Sequence, residues 1–328
     1  MRKLILTSYQ SPGDIVMLTA TVRDLHRCHP GRFLTDVRTS CPALWEHNPY
    51  LTPLDERDPD VETIACEYPL IHHSNQEPWH FLHAYADFLG RHLEVPIRVT
   101  EFRGDIHVSA EEKRWFSTVE EIKGRSTPFW LITSGGKTDY TIKWWDRTRY
   151  QQVVDHFRGR IEFVQVGERG HHHPLLDGVI DLRGATNLRQ LVRLMYHAQG
   201  ALTAVSLLMH LAVAVEVRPG MPKNRPCVVV AGGREPPHWE AYPHHQFIHT
   251  VGALRCCDNG GCWKSRTAPL GDGDEKDRLE NLCVDVVDSL PHCMHMITAG
   301  DVIRRIEQYF VGGAVRYLNV IGSEAPSD

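Results

Sequence analysis

The chain has 328 residues, which at about 150 residues per domain predicts two domains. Hydrophobic residues make up 42% of it and charged residues 23%, so each half can form a buried core and wholesale disorder is excluded. The 36 lysines and arginines against 41 aspartates and glutamates give a formal charge of −5. A slightly acidic chain lacks the basic surface that binds phosphate backbones, so we expect no nucleic-acid partner.

A membrane span and a secretion signal are both disfavoured. The most apolar segment, residues 201–217, carries polar side chains and falls short of the roughly 18 uninterrupted apolar residues that a span needs. The N-terminal residues reach a Ser-Pro-Gly-Asp turn before a signal-peptide core can form. We therefore expect a cytoplasmic protein without a transmembrane segment.

Strands and helices alternate over the first 125 residues. The apolar spacing predicts strands over 3–7, 32–37 and 61–66 and helices over 15–25, 78–93 and 110–116. This alternation favours a parallel sheet covered by helices on both faces. We predict a first α/β domain over 1–125.

The pattern restarts after the Gly-Arg-Ser-Thr-Pro stretch near residue 125. It predicts strands over 129–133, 160–166 and 227–231 and helices over 147–157, 188–199, 205–215 and 301–309. We interpret it as a second α/β domain over 126–328. Doubly wound domains carry ligand sites at the carboxyl ends of their strands, so we expect a site in a cleft between the two domains.

Asp14 lies between the first predicted strand and the first predicted helix, directly before the helix. A carboxylate at the mouth of a cleft can take a proton from an acceptor hydroxyl. An aspartate at a helix start is also a common N-cap residue. The residues alone favour the N-cap and leave the functional interpretation open.

Two predicted strands are followed by glycine turns with basic residues nearby. Gly135-Gly136-Lys137 precedes Lys143, and Gly233-Arg234 follows the strand over 227–231. Such turns let backbone amides approach phosphate oxygens, and the basic side chains add positive charge. The signal is weak, because neither turn has the spacing of a Walker loop or a GxGxxG motif.

Four histidines and a serine are weaker candidates. Ser206 and His210 lie one turn apart on an apolar predicted helix, which permits a joint contact with a phosphate. A lone histidine in such a helix is more often a hydrogen-bonded core residue. The run over 171–173 is interpreted as a polar loop, because metal-binding histidines need a spacing that lets them converge.

Five of the nine cysteines crowd into residues 256–293. In a reducing compartment such a cluster more often binds a metal than forms disulfides. We predict a structural zinc or iron held by four thiolates, with Cys256 as a substitute for the first: Cys257, Cys262, Cys283 and Cys293. The segment between them is too polar for a core of its own, so a metal would supply the missing stability. The alternative is a chance grouping of thiols.

These segments, in this order, resemble the family 9 glycosyltransferases, the ADP-heptose heptosyltransferases of lipopolysaccharide assembly. The resemblance is carried by SPGDIVMLTATVRDLHRCHPG, NPY at 48–50, IKWWDRTRYQQVV, FVQVG, and SLLMHLAVAV followed by VVVAGG. The cysteine window with Cys262-Trp263 and the MITAGDVIRRI segment is similar to the metal finger of bacterial autotransporter heptosyltransferases.

The resemblance implies a GT-B fold, in which two Rossmann-like domains face a cleft and the cysteine finger belongs to the C-terminal domain. It implies an inverting glycosyltransferase that moves a sugar, a heptose, from ADP-heptose to an acceptor hydroxyl. Asp14 corresponds to the general base and Lys143 to the lysine at the donor diphosphate. The family's Asp-Thr-Gly reads Val205-Ser206-Leu207, so only Ser206 keeps a hydroxyl. The expected donor-binding residues are Gly135, Gly136, Lys137, Lys143, Gly167, Glu168, Ser206, His210, Gly233 and Arg234.

The expected partners are a nucleoside-diphosphate sugar and an acceptor glycan, protein or small molecule, with no catalytic metal. Self-association is left open. Two other classes also stay open: a sugar-nucleotide epimerase of the same architecture, and a non-catalytic protein whose metal finger docks a partner.

Overall fold

The structure is a computed structural model that describes residues 1–318. Its first sheet has three parallel strands in the order β2-β1-β3. The strands are β1 (Arg2–Ser8), β2 (Phe33–Thr39) and β3 (Val61–Ala65), and the helices of this half are α1 (Pro12–Cys28), α2 (Leu82–Leu93) and α3 (Thr118–Lys123). The predicted parallel α/β arrangement of this half is confirmed.

Helix α1 begins directly after β1 and is buried along most of its length. Ser11 takes the N-cap position in extended conformation, and Pro12 occupies the first helical position, where its missing N–H is not needed. Asp14 is therefore in the first turn, and the interpretation of Asp14 as the N-cap is wrong. An acidic side chain there interacts favourably with the helix dipole.

The second sheet has six parallel strands in the order β6-β5-β4-β7-β8-β9. The strands are β4 (Phe129–Ile132), β5 (Glu162–Gln165), β6 (Ile180–Asp181), β7 (Gly200–Ala204), β8 (Cys227–Gly232) and β9 (Gln246–His249). The helices are α4 (Arg147–His156), α5 (Leu188–His197), α6 (Leu207–Ala214) and α7 (Pro237–Glu240). Strands β4, β7 and β8 are buried throughout, as is typical of a parallel sheet covered on both faces.

The cysteine-rich segment follows β9. It consists of short 3-10 turns, a hairpin of β10 (Val286–Val287) and β11 (Leu290–Pro291), and α8 (His292–His295). Helix α9 (Ala299–Val311) then packs against α4 and β8. Residues 319–328, which the prediction assigned to the second domain, lie outside the described residues.

The two halves meet where α1 packs against α6. One continuous hydrophobic core contains Leu4 and Val16 from the first half together with Leu131 and Leu211 from the second. A second hydrophobic cluster, which includes Trp130, Phe157 and Ile306, lies wholly within the second half. The domain division at residue 125 stays a prediction.

The sequence-based assignment differs from the structure in several places, and β6, β9 and the short elements α7, α8, β10 and β11 were not predicted. Helix α2 begins at Leu82 rather than near 78, and 110–116 contains only a 3-10 turn over Glu112–Arg114. Helix α3 was not predicted. Strand β7 was also missed, because its apolar residues run without a turn signal into the apolar helix α6.

Within residues 1–318, no helix is both long and apolar enough to cross a bilayer.

Gly104 provides a test of the junction between the halves. A Cβ at this position would lie 2.4 Å from Val16 Cγ1 in α1 and 2.9 Å from Ala214 Cβ in α6. We expect Gly104→Ala to lower the free energy of unfolding by about 1–3 kcal/mol, because the overpacked helices must separate. Chemical denaturation measures the change.

Gly300→Ala in α9 is the matched control. The nearest atom to its Cβ is the flexible Arg304 Nη1 at 3.4 Å, so alanine should be neutral or stabilising there. Equal stability of Gly104→Ala and the unmodified protein would contradict close packing at the junction.

Candidate active site

Asp14 faces a tyrosine from the loop after β3. Tyr68 Oη donates a hydrogen bond to Asp14 Oδ1 at 2.7 Å. Burial raises the pKa of Asp14, although the Tyr68 bond and the charges of Lys143 and Lys137 act in the opposite direction. A carboxylate with a raised pKa, held by one donor, has the properties of a general base.

Lys137 reaches Asp14's turn from the other half of the chain. It lies in the loop after β4, and its Nζ donates to Ser11 Oγ at 2.9 Å. Ser11 is the N-cap residue of α1, three positions before Asp14. The contact joins the loops that follow β1 and β4, and it brings Lys137 near Asp14, which the sequence nominated separately.

Lys143 is held by a buried carboxylate that the sequence analysis did not select. Lys143 Nζ lies 2.7 Å from Glu235 Oε1, and the Glu235 side chain is only 1% exposed. Arg234 Nη1 pairs with the same oxygen. The two cations together lower the pKa of Glu235 against its burial. They leave a net positive charge beside Asp14.

Aromatic rings fix the direction of Arg234. Its guanidinium lies 5.3 Å from the ring centre of Tyr140 and 5.1 Å from that of Trp263. Lys143 Nζ lies 6.0 Å from the same Tyr140 ring. The negative faces of these rings attract the cations, so both basic groups stay at one edge of the site.

A second buried carboxylate lies close to the first. Burial, and then the charge of Glu235, raises the pKa of Glu240 to about 8. The charge of Glu235 thus disfavours ionisation of Glu240, whereas the two cations favour ionisation of Glu235. Two carboxylates in one buried site separate their pKa values in this way because both charges together would repel.

His210 lies behind Asp14 rather than in an open donor site. Its Nδ1 is 2.9 Å from Tyr242 Oη, and its Nε2 is 3.6 Å from Glu240 Oε2. A Cβ on Gly13 would lie 3.1 Å from the His210 ring. Burial, and then the charge of Lys143, lowers the pKa of His210 to about 3, so it is neutral. These contacts fit a packing role, and they do not favour the predicted contact with the donor.

The glycine turn after β4 is closed by the histidine run. Gly136 N donates to His172 O at 2.8 Å, and a Cβ on Gly135 would lie 2.0 Å from the same oxygen. Gly135 has a φ of +73°, which only glycine adopts readily. The Gly136 amide is thus already bonded, so the expectation that it binds phosphate does not fit this arrangement. The run over 171–173 is a loop, as predicted, but it packs as a wall of the site.

The remaining donor candidates are dispersed. Ser206 caps α6, since its Oγ accepts from Leu208 N at 3.2 Å, and it also contacts Thr203 Oγ1 at 2.8 Å. A Cβ on Gly167 would meet the His173 ring at 2.5 Å. Glu168 is exposed and lies 3.3 Å from His171. Their role in donor binding stays a prediction.

Gly233 lies under the cysteine segment. Its carbonyl accepts from Cys262 N at 3.1 Å, and a Cβ on it would lie 3.2 Å from Cys257 Sγ. Gly233 therefore supports the cysteine segment rather than an open phosphate site.

The cysteine sulfurs converge without forming a tight cluster. In residues 1–318, the one group of at least three potential metal ligands within 4.8 Å is Glu46, His47 and Glu112. Arg189 already pairs with both of those glutamates. A four-thiolate site is thus not formed in this geometry.

The cysteine thiols differ in the groups that surround them. Cys257 Sγ donates to Leu254 O at 3.4 Å and Thr250 O at 3.7 Å. Burial, and then the charges of Cys262 and neighbouring thiols, raises the pKa of Cys256 to about 11. Burial also raises the pKa of Cys293 to about 12, and the charges of Cys262, Cys283 and Cys256 act in the same direction. Cys256 thus lies in the electrostatic field of the predicted ligands, whereas Cys257 faces backbone carbonyls.

Sequence reasoning missed Tyr68, Glu235 and Glu240. Glu235 directly follows the nominated Gly233-Arg234 turn, so an acidic residue beside a predicted phosphate site was an available signal. Tyr68 and Glu240 gave no such signal, because only the tertiary structure brings them to Asp14 and His210.

No protein-family model and no curated protein matches this sequence. Solved structures do match. The glycosyl transferase family 9 protein from Veillonella parvula DSM 2008 has 14% identity and a TM-score of 0.63, over 95% of this chain and 97% of that one. The Escherichia coli ADP-heptose lipopolysaccharide heptosyltransferase II has 15% identity and a TM-score of 0.57, over 96% and 100%.

A third similar structure is the iron-containing dodecameric glycosyltransferase TibC from enterotoxigenic E. coli H10407. It has 16% identity and a TM-score of 0.59, over 95% of this chain and 76% of that one. At this identity the likeness shows a shared fold. The expected resemblance to family 9 glycosyltransferases is confirmed at that level.

The Tyr68 hydrogen bond predicts a change in the titration of Asp14. Its O–H stabilises the charged carboxylate, so Tyr68→Phe should raise the Asp14 pKa further. A carboxyl-carbon NMR titration measures it.

Tyr85→Phe serves as the control, because Tyr85 Oη contacts Ser8 Oγ at 3.3 Å instead of Asp14. An unchanged or lowered Asp14 pKa in Tyr68→Phe would refute the assigned bond.

Proposed function

We propose that this protein is an inverting glycosyltransferase that moves a sugar, a heptose, from ADP-heptose to an acceptor hydroxyl. The observation that carries the proposal is Asp14, a carboxylate of raised pKa opposite two lysines from the other half of the chain. The fold supports it, because the similar structures include a heptosyltransferase named for ADP-heptose. In this proposal the first half binds the acceptor and the second binds the donor across a cleft.

Asp14 acts as the general base. Tyr68 occupies Oδ1, which leaves Oδ2 to take the proton of the acceptor hydroxyl. The acceptor oxygen attacks the anomeric carbon as the bond from that carbon to the diphosphate oxygen breaks. Attack opposite the leaving group inverts the configuration.

Lys143, Lys137 and Arg234 stabilise the departing diphosphate. Negative charge grows on the leaving oxygen, so fixed positive groups lower the barrier more than they strengthen ground-state binding. Glu235 keeps Lys143 and Arg234 together, since their mutual repulsion would otherwise drive them apart.

We further propose that the cysteine segment holds one structural zinc or iron ion. Cys262, Cys283 and Cys293 would bind it with Cys256, because Cys257 Sγ is directed at the backbone carbonyls of Leu254 and Thr250. TibC is an iron-containing glycosyltransferase of similar fold, which supports iron. Four thiolates leave no open position, so the ion would stabilise the segment and take no part in transfer.

The clustered thiols also support a reducing, cytoplasmic location. The acceptor belongs to the class of hydroxyl-bearing glycans, proteins or small molecules. TibC is described as dodecameric, which favours testing this chain for self-association.

Asp14→Asn tests the proposed base. The variant keeps the size of the side chain but removes the proton acceptor, so turnover should fall by roughly two to four orders of magnitude. ADP affinity should stay unchanged. Turnover is measured as ADP released from ADP-heptose with candidate acceptors, and affinity by calorimetry.

Lys143→Ala should instead weaken ADP binding and also slow transfer. Lys123→Ala is its control, because that lysine pairs with Glu162 away from the site. Release of an altered sugar without an acceptor would favour the epimerase. Near-normal turnover in a folded Asp14→Asn protein would overturn the assignment of the base.

Metal analysis tests the thiolate site. We expect about one zinc or iron per chain in protein purified without chelator. Cys262→Ser and Cys256→Ser should lose the ion and lower the melting temperature.

Cys28→Ser and Cys257→Ser should retain it. If the purified protein contains no stoichiometric metal, the proposed site is wrong. If Cys256→Ser retains the ion and Cys257→Ser loses it, the fourth ligand is Cys257 and not Cys256.

A further inference from the structure

Asn75 joins the first half of the chain to the cysteine segment. Its Nδ2 donates to Gly261 O at 2.8 Å, and its Oδ1 accepts from Gly261 N at 2.8 Å. The side-chain amide therefore pairs with both polar groups of one residue, as a neighbouring strand would. Two such bonds define position and direction together, which a single bond does not.

Two glycines make this approach possible. A Cβ on Gly260 would lie 2.6 Å from Asn75 Oδ1, and Gly260 has a φ of +123°. A Cβ on Gly261 would lie 2.4 Å from Arg234 O. Side chains at either position would push the cysteine segment away from its two neighbours, Asn75 and the turn after β8.

The cysteine segment then continues along the turn that carries Arg234. Trp263 N donates to Arg234 O at 3.0 Å, and Arg234 Nε donates to Lys264 O at 2.7 Å. Trp263 also stacks on the Arg234 guanidinium. Arg234 shares Glu235 with Lys143, so the contacts lead without a break from Asn75 to the lysine at the proposed diphosphate site.

A second connection reaches the same lysine. Ile142 N donates to Ser265 O at 3.2 Å, and Thr267 N donates to Thr141 Oγ1 at 2.8 Å. The Ile142 amide and the Thr141 hydroxyl belong to the two residues before Lys143, in the segment Thr138–Lys143. The cysteine segment therefore supports Lys143 from two sides.

The loop that carries Asn75 also carries the partner of Asp14. Tyr68 stands directly before the 3-10 turn over Pro69–His73, and Asn75 follows that turn. Ser74 O lies 2.6 Å from His238 Nε2, which adds a contact to the second half. One short loop thus orients the carboxylate at one end and touches the cysteine segment at the other.

We propose that Asn75 is a positioning residue, which sets the distance between Asp14 and Lys143 by fastening its loop to Gly261. The proposal rests on the function proposed above. Asn75 touches neither the proposed base nor the proposed cations, so its effect should fall on alignment in the transition state. A misplacement of about 1 Å is enough to lower turnover by up to roughly 100-fold.

Asn75→Ala tests the proposal, and Asn187→Ala is the matched control. Asn187 Oδ1 accepts from Gln190 N at 2.8 Å at the start of α5, so its loss also removes side-chain bonds to the backbone. We expect Asn75→Ala to lower kcat by roughly 10- to 100-fold with ADP affinity within about threefold of the unmodified protein. Asn187→Ala should leave kcat unchanged.

Hydrogen exchange supplies a readout that does not depend on activity. In Asn75→Ala, the amides of residues 261–263 and of Ile142 should exchange faster, while those of β4 and β8 should not. Gly260→Ala should reproduce both effects from the other side of the contact, because its Cβ would lie 2.6 Å from Asn75 Oδ1.

The outcomes separate the two proposals. If the unmodified protein has no transferase activity, the proposed function is wrong. The hydrogen-exchange comparison then decides whether Asn75 holds its loop against Gly261. Unchanged exchange at Ile142, a kcat equal to that of the unmodified protein, or an equal loss in Asn187→Ala would each overturn the role of Asn75.

Discussion

The packing of α1 on α6 is the constraint on which the rest of the site depends. Gly13 lies against the His210 ring, and Gly104 leaves room for the two helices to approach. Because Asp14 follows Gly13 directly, this packing also fixes the carboxylate relative to the second sheet. A Cβ on Gly104 would press on Val16 of α1, and a Cβ on Gly13 would press on the His210 ring, so a side chain at either glycine would disturb the contact between the helices.

The ionisation of the buried side chains around that junction is set by their neighbours as well as by burial. Lys143 and Arg234 both contact Glu235 and favour its ionised form, whereas burial and the charge of Glu235 favour the protonated form of Glu240. His210 is neutral, so the buried layer behind Asp14 adds no positive charge. The cations therefore stand at the surface of this layer, where an anionic ligand can meet them without displacing a buried counterion.

The sequence predicted those parts of the fold that depend on local periodicity. Strand β1, helix α1 and strand β8 lie within two or three residues of their predicted bounds, because strong apolar patterns and a proline at the helix start specify them. Strand β7 was missed because a buried strand and a buried helix both have continuous apolar sequences, which periodicity cannot tell apart when no turn separates them.

The site was predictable only in part, for a related reason. Lys137 follows a strand and was found from that position, whereas the roles of Asp14 and Lys143 came from the resemblance to family 9 glycosyltransferases. Tyr68, Glu235 and Glu240 acquire their role from contacts with residues far away in the chain, and adjacent cysteines such as Cys256 and Cys257 differ only in the direction of their side chains. No single-sequence pattern encodes such directions.

The contact between Asn75 and Gly261 has a consequence for the order of assembly during synthesis. The two residues are 186 positions apart, so the loop after β3 lacks its contact with Gly261 until most of the chain has left the ribosome. The first sheet can form from local segments well before then, because its strands and α1 lie within the first 65 residues. A growing chain therefore holds an incompletely fixed Asp14 for most of its synthesis, and the complete site forms only after the cysteine segment has emerged.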